Sequence, residues 1–281
     1  MEELYSPRVI SELLRRYGLA PLKKLGQNFL RDENIVNKIA QAAAPDGCNI
    51  LEIGPGLGTL TRALSLRAKK VVAVEIDHGM VRVLQETVGD RKNVQVVESD
   101  FLKIQLSELC EEYFGGESFA VAGNLPYYIT SKCLMKVLES GQPISRFTAM
   151  VQKEVADRLA ARCGDADYSG LSASVAYFGG AQRLFSVSRG CFLPEPDVDS
   201  AVIQMIPRSQ FDVPQELYSR MVRGLFAMRR KTVQNNLKSS FGMSADHSET
   251  LLLQLGISPK ARAEELSPEQ FAGLAKKLLQ N

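Results

Sequence analysis

From residue 32 onward, short β-branched runs alternate with stretches in which apolar residues recur every three or four positions, the pattern of βα units that build a parallel sheet. Asp32 is placed to cap a helix carrying Ile35, Val36, Ile39 and Ala40. Residues 49–53 (NILEI) then read as a short buried strand ending in glycines, with a helix from Thr59. Further strands are expected at 70–75 (KVVAVE), 93–97, 118–122 and 146–151, with helices at 78–88 and 130–140. Helices at 153–161 and 169–178 follow, and strands at 182–188 and 201–206 extend one edge of the sheet. Beyond Pro207 every periodic segment is helical, including one that opens with Ser267 as cap, Pro268 in the first turn and Gln270 completing a capping box. The expected architecture is α/β, a mostly parallel sheet with helices on both faces over residues 1–207, then a small all-helical domain over 208–281.

Composition narrows the class more than it names one. The 281 residues, 45% hydrophobic and 23% charged, describe an ordinary globular chain and leave no room for a disordered one. Lys and Arg total 34 against 32 Asp and Glu, a net charge of +2, so an anionic partner must be met by a local basic surface and not by a global field. The opening MEELYSPRVI lacks the basic-then-apolar pattern of a signal peptide, and no stretch approaches the ~20 apolar residues of a membrane span. A cytoplasmic, monomeric protein without a membrane partner is expected. Cys48, Cys110, Cys133, Cys163 and Cys191 form no C-x-x-C pair, and His78 and His247 sit in unrelated segments. No disulfide framework or metal site is expected, and the chemistry should need no imidazole.

Two segments carry chemistry. In LEIGPGLGTLT, residues 51–61, Gly54, Gly56 and Gly58 stand between a strand and a helix, where missing side chains let backbone approach a ligand. The spacing is G-x-G-x-G and not the G-x-G-x-x-G of dinucleotide enzymes, and Glu52 gives the loop an acidic side that a pyrophosphate would avoid. A cationic nucleoside such as S-adenosylmethionine suits it better. Glu75, at the end of the second strand, is placed to accept ribose hydroxyls, and Asp100, after the third, to meet an adenine amine.

The second segment is AGNLPYYIT, which places Asn124, Leu125, Pro126 and Tyr127 at the carboxyl edge of the sheet. Methyl transfer to an adenine amine requires the nitrogen lone pair to be turned out of ring conjugation while acceptors hold the amine hydrogens. The Asn124 side-chain oxygen and the carbonyl before Pro126 supply two acceptors, Pro126 stiffens the turn, and Tyr127 offers a stacking face. Tyr128 and Ile129 read as packing residues.

Together with LGQNFL at 25–30, VQKEVADRL at 151–159, FLPEPDVDSAV at 192–202 and RRKTVQNNL at 229–237, these segments resemble the small-subunit ribosomal RNA adenine dimethyltransferase family, the KsgA type, across nearly the whole chain. The resemblance implies a class I, Rossmann-like S-adenosylmethionine-dependent methyltransferase, with S-adenosylhomocysteine as product. It also implies dimethylation of N6 on two adjacent adenosines in the 3′-terminal hairpin of 16S rRNA during small-subunit maturation. By the same resemblance Asn28 and Leu30 line the donor pocket with Gly54, Gly56, Glu75, Asp100 and Asn124, and Phe192 stacks on the target base opposite Tyr127.

A base inside a hairpin must be extruded before it can react. For the phosphates, residues 219–238 read as one amphipathic helix with Val222, Phe226, Val233 and Leu237 on one stripe and Arg220, Arg223, Arg230, Lys231 and Lys238 on the other face. Arg229 falls with the apolar stripe, and Arg15, Arg16, Lys23 and Lys24 form a second basic group. Alternatives sharing these motifs are a large-subunit rRNA adenine dimethyltransferase and an assembly factor for which binding outweighs methylation; a nicotinamide oxidoreductase is disfavoured by the glycine spacing.

Overall fold

The computed structural model describes residues 4–21, 27–45 and 47–279. Lys23 and Lys24, and the Leu25 and Gly26 of LGQNFL, lie outside the described residues. The chain divides into two compact units, one of residues 1–156 and 182–207, the other of 157–181 and 208–281.

The first unit opens with α1 (Pro7–Arg16), then β1 (Phe29–Leu30) and α2 (Glu33–Ala43), which Asp32 caps by accepting from the Ile35 N–H. Five βα-type repeats follow: β2 (Asn49–Ile53), α3 (Thr59–Ser65), β3 (Lys70–Glu75), α4 (His78–Val88), β4 (Val94–Glu98), α5 (Leu106–Phe114), β5 (Phe119–Asn124), α6 (Thr130–Leu138) and β6 (Ile144–Gln152). After α7 (Lys153–Ala160), and after α8 (Gly170–Ala176), which belongs to the second unit, come β7 (Gln182–Val187), the short β8 (Phe192–Leu193) and β9 (Ser200–Met205).

The seven-stranded sheet has the order β4-β3-β2-β5-β6-β9-β7. Its first five strands are parallel, and β9 and β7 close one edge by antiparallel pairing. Chain order reverses between β2 and β5, the switch point where the carboxyl ends of strands leave a crevice for ligands. Every residue of β2 is buried, as a central strand covered on both faces requires. The core under one face joins Val36, Ile39 and Ala43 of α2 to Ile50, Leu64, Met150 and Val202.

Two helices of this unit go beyond the sequence expectation. In α1, Ile10, Leu13 and Leu14 are buried, and Ile10 and Leu14 pack with Phe29, Leu57, Met80 and Val83. In α5, Leu106, Leu109 and Cys110 point inward before Gly115 ends the helix in the left-handed conformation. The α1 surface bears on the expected basic group as well. Arg16 is committed to Glu12 and Glu86 at 3.0 and 2.6 Å, so its charge is neutralised within the chain.

The second unit adds α9 (Gln215–Phe226), α10 (Val233–Phe241), α11 (Ala245–Gln254) and α12 (Pro268–Leu278), the last with the expected capping box between Ser267 and Gln270. Residues 157–181, grouped with the sheet in the sequence reading, fall in this unit instead. The reason is a shared aromatic core: Tyr177 packs on Phe178, Phe211 and Tyr218, and the Tyr218 hydroxyl donates to the Ala173 carbonyl. The expected single helix over 219–238 is two helices. α9 stops after Phe226, and Thr232, in extended backbone, caps α10 by accepting from the Asn235 N–H. Val222, Val233 and Leu237 are buried as their stripe required, but from separate helices. Arg229, expected among the apolar positions, is exposed in the connection between them.

Candidate active site

The glycine loop hooks β2 to β3 and leaves its outer side bare. The Gly54 N–H donates to the Val74 carbonyl, and Gly54, Gly56 and Gly58 take φ of +68°, +57° and +85°, a region that costs every residue with a Cβ. At Gly58 space adds to the backbone demand: a Cβ there would lie 2.9 Å from the Thr87 and Val88 side chains. β1 is itself fixed by antiparallel pairing with β8, Leu30 opposite Phe192.

Around this loop a cavity opens at the switch point. Asn28, Leu30, Gly54, Gly56, Glu75, Asp100, Asn124 and Pro126 all line it, so residues spread over nearly a hundred positions converge on one site. Gln27, Phe29, Ile76, Leu102, Tyr128 and Ile129 line it too and were missed. Gln27 is held by donating from Nε2 to Asp77 at 3.0 Å, a partner that sequence spacing gives no means to find. Ile76 directly follows the strand-end Glu75 and Leu102 stands two residues after Asp100, and that nearness was a usable signal.

Glu75 is oriented by backbone. One carboxylate oxygen accepts from the Gly56 N–H at 3.1 Å, and the other from the N–H groups of Ile76 and Asp77 at 2.9 and 3.0 Å. Burial pushes its carboxyl up, and these three donors oppose the rise. Asp100 accepts from the Leu102 N–H at 2.9 Å, which aims its side chain in the same way.

Glu52 is different. It is 1% exposed, its Oε2 has no hydrogen-bond partner among the described residues, and it faces the cavity. Burial pushes its carboxyl up to about 8, the Thr61 hydroxyl opposing and the Glu75 charge adding to the rise. The folded state therefore holds a proton that the unfolded chain releases near pH 4.5, and stability falls as pH rises from there to about 8, then levels. The loss is on the order of 5 kcal/mol at high pH. Glu52→Gln, which keeps the shape without the charge, should melt higher than wild type at pH 8.5 and not at pH 5 in ligand-free thermal scans. Parallel melting curves across that range would refute the assignment.

The Asn124 turn departs in part from expectation. Asn124 Nδ2 donates to the Asn28 carbonyl at 2.9 Å, which pins the carboxamide and leaves Oδ1 without a partner among the described residues. The carbonyl of Leu125 likewise accepts no hydrogen bond among them, while its N–H donates to Met150. Leu125 is buried and does not line the cavity. Tyr127 does not line the cavity; its ring is partly exposed and its hydroxyl is 2.9 Å from that of Ser200. Phe192, expected to stack on the target base, is 2% exposed, sits opposite Leu30 in the core cluster with Val36, and does not line the cavity. Conversely Tyr128, read as packing, is 57% exposed at the cavity.

In the helical unit Arg220 and Arg223 lie on α9, Arg230 and Lys231 in the connection to α10, and Lys238 on α10. All five are exposed, and the Arg220 guanidinium rests over the Phe241 ring. Among the described residues no cluster of His, Cys, Asp or Glu could hold a metal ion, and no helix is long and apolar enough to cross a membrane.

A bare glycine cradle, a backbone-oriented strand-end acid and the buried Glu52 carboxyl, whose deprotonation a neighbouring positive charge favours, suit a cationic nucleoside. With the sheet order, they define a class I S-adenosylmethionine-dependent methyltransferase. The chain belongs to the ribosomal RNA adenine dimethylase family, whose model matches residues 21–280, and it is an rRNA adenine dimethyltransferase that uses S-adenosylmethionine. It is 41% identical to the ribosomal RNA small subunit methyltransferase A of Bacillus cytotoxicus over 99% of this chain and 98% of that protein. It is 40% identical to the protein of the same description from Bacillus mycoides at the same coverage. Among solved structures, a dimethyladenosine transferase from Plasmodium falciparum matches with a TM-score of 0.74 at 25% identity, covering 90% of this chain and 98% of that one. The 23S rRNA methyltransferase ErmE matches with a TM-score of 0.69 at 31% identity, covering 90% of this chain and all of that one.

Proposed function

We propose that this enzyme dimethylates N6 of two adjacent adenosines in the 3′-terminal hairpin of 16S rRNA, acting as a monomer in the cytoplasm on the maturing small ribosomal subunit. The observation that carries the chemistry is the pinned Asn124 carboxamide beside the unpaired Leu125 carbonyl. The choice of 16S rRNA rests on the relatives named small subunit methyltransferase A, which match end to end. The likeness to ErmE keeps 23S rRNA as the second reading.

Gly54, Gly56, Glu52, Glu75 and Asp100 hold the donor, Glu75 by accepting from ribose hydroxyls and Asp100 from the adenine amine. Bound there, S-adenosylmethionine supplies a methyl group made electrophilic by its sulfonium. Asn124 Oδ1 and the Leu125 carbonyl accept the two N–H bonds of the flipped adenine amine, which turns its lone pair out of the ring plane. Pro126 fixes the direction of that carbonyl. Tyr127, anchored through Ser200, remains the stacking residue of the turn; the buried Phe192 is not assigned this role. No strong base is required, since the amine proton becomes acidic once nitrogen carries the new bond, and positioning with charge stabilisation does the rest.

Arg220, Arg223, Arg230, Lys231 and Lys238 provide the phosphate-binding surface. The test is incubation of undermethylated small subunits with labelled donor, followed by nucleoside mass spectrometry. Dimethyladenosine at adjacent positions of 16S rRNA is expected, and product only on 23S rRNA would favour the second reading. In the same assay Arg230→Glu with Lys231→Glu should weaken RNA binding at least tenfold and lower the salt slope by about one per cation removed. Donor affinity should not move.

A further inference from the structure

Two large apolar side chains that the fold leaves uncovered, Ile76 at 52% and Tyr128 at 57% exposure, both line the cavity. They reach it from the ends of β3 and β5, the strands on either side of β2. Exposed aromatic surface is costly, and here both residues face a space with a ligand's dimensions, so the ligand itself is the natural cover. The Tyr128 phenol makes no hydrogen bond among the described residues. Burial pushes the phenol up, and the charges of Asp100, Cys133 and Glu75 add to the rise. Tyr127, one residue earlier, is instead anchored to Ser200 and does not line the cavity. The adjacent tyrosines thus face different surroundings.

We propose that Tyr128 is a donor-side positioning residue, whose ring closes over the nucleoside of the methyl donor and sets how tightly donor and product are held. This rests on the reading of the cavity as the donor site. Burying the ring against the bound nucleoside adds apolar contact that neither Glu75 nor Asp100 can make. The hydroxyl is not required, so phenylalanine should serve in its place.

The test is calorimetric titration with S-adenosylhomocysteine, together with steady-state kinetics on small subunits. Tyr128→Ala should weaken product binding and raise the KM for donor about tenfold, leave the KM for RNA within twofold, and be rescued by Tyr128→Phe. A purely structural defect would not split the two KM values or be confined to the alanine variant. Unchanged product affinity in Tyr128→Ala would overturn the proposal, as would a rise confined to the KM for RNA, the result expected of a residue stacking on the target base. If wild type itself fails to bind S-adenosylhomocysteine, it is the donor-site reading that fails.

Discussion

Asn124→Ala is expected to lower kcat by two to three orders of magnitude (~10²–10³-fold), the usual cost of removing one preorganised group that acts on developing charge. The side chain has two tasks that the substitution separates. In the proposed mechanism Oδ1 accepts from the target amine, and its loss would leave that nitrogen conjugated and misdirected. Nδ2 donates to the Asn28 carbonyl, and its loss loosens the strand that borders the donor. The second task predicts a weaker effect on S-adenosylhomocysteine affinity, about threefold to tenfold, because β1 stays paired with β8 through Phe29 and Leu30. Single-turnover methylation and calorimetry on the same preparation measure the two losses. Equal losses in both would mean that Asn124 acts mainly as a brace for the donor pocket.

The second large effect is on donor binding. Glu75→Gln should raise the dissociation constant for S-adenosylhomocysteine about a hundredfold and lower thermal stability as well. All three backbone N–H groups on this carboxylate require acceptors. A carboxamide has one oxygen, so its NH₂ must point either at the Gly56 N–H or at those of Ile76 and Asp77. Either choice sets donor against donor in a buried place, and the glycine loop loses its tie to the end of β3. Hydrogen bonds to a charged group contribute about 1.5–3 kcal/mol each, and losing one of the two to a ribose diol, toward the upper end of that range, accounts for the hundredfold. Glu75→Asp, which keeps the charge and shortens the reach, should fall between. If Glu75→Gln bound product as wild type does, the ribose assignment would be wrong.

Much of this site is legible before folding because it is local. A strand ending in glycines, an acid closing the next strand and an Asn-Leu-Pro-Tyr turn are each encoded within a few consecutive residues, and the βα order carries them to one sheet edge. That is why Gly54, Glu75, Asp100 and Asn124 come together as the spacing implies. The helices α1 and α5 were equally legible from Ile10, Leu13 and Leu14 and from Leu106, Leu109 and Cys110, with Gly115 marking a helix end. The break between α9 and α10 was harder to see. Val222, Phe226, Val233 and Leu237 keep helical phase across it, and only the Thr232 cap marks the interruption.

By itself the sequence determined the order of the central strands, the glycine loop and the acids that follow the strands, because hydrophobic period and backbone freedom act over one or two turns of chain. Only the tertiary structure decided which tyrosine faces the cavity, that Phe192 turns into the core, and that residues 157–181 share a core with α9. Each of these depends on a partner far away in sequence: Ser200 for Tyr127, β1 for Phe192, Tyr218 for Tyr177. The direction of a side chain is set by the surface it meets, and that surface exists only once the chain has closed upon itself.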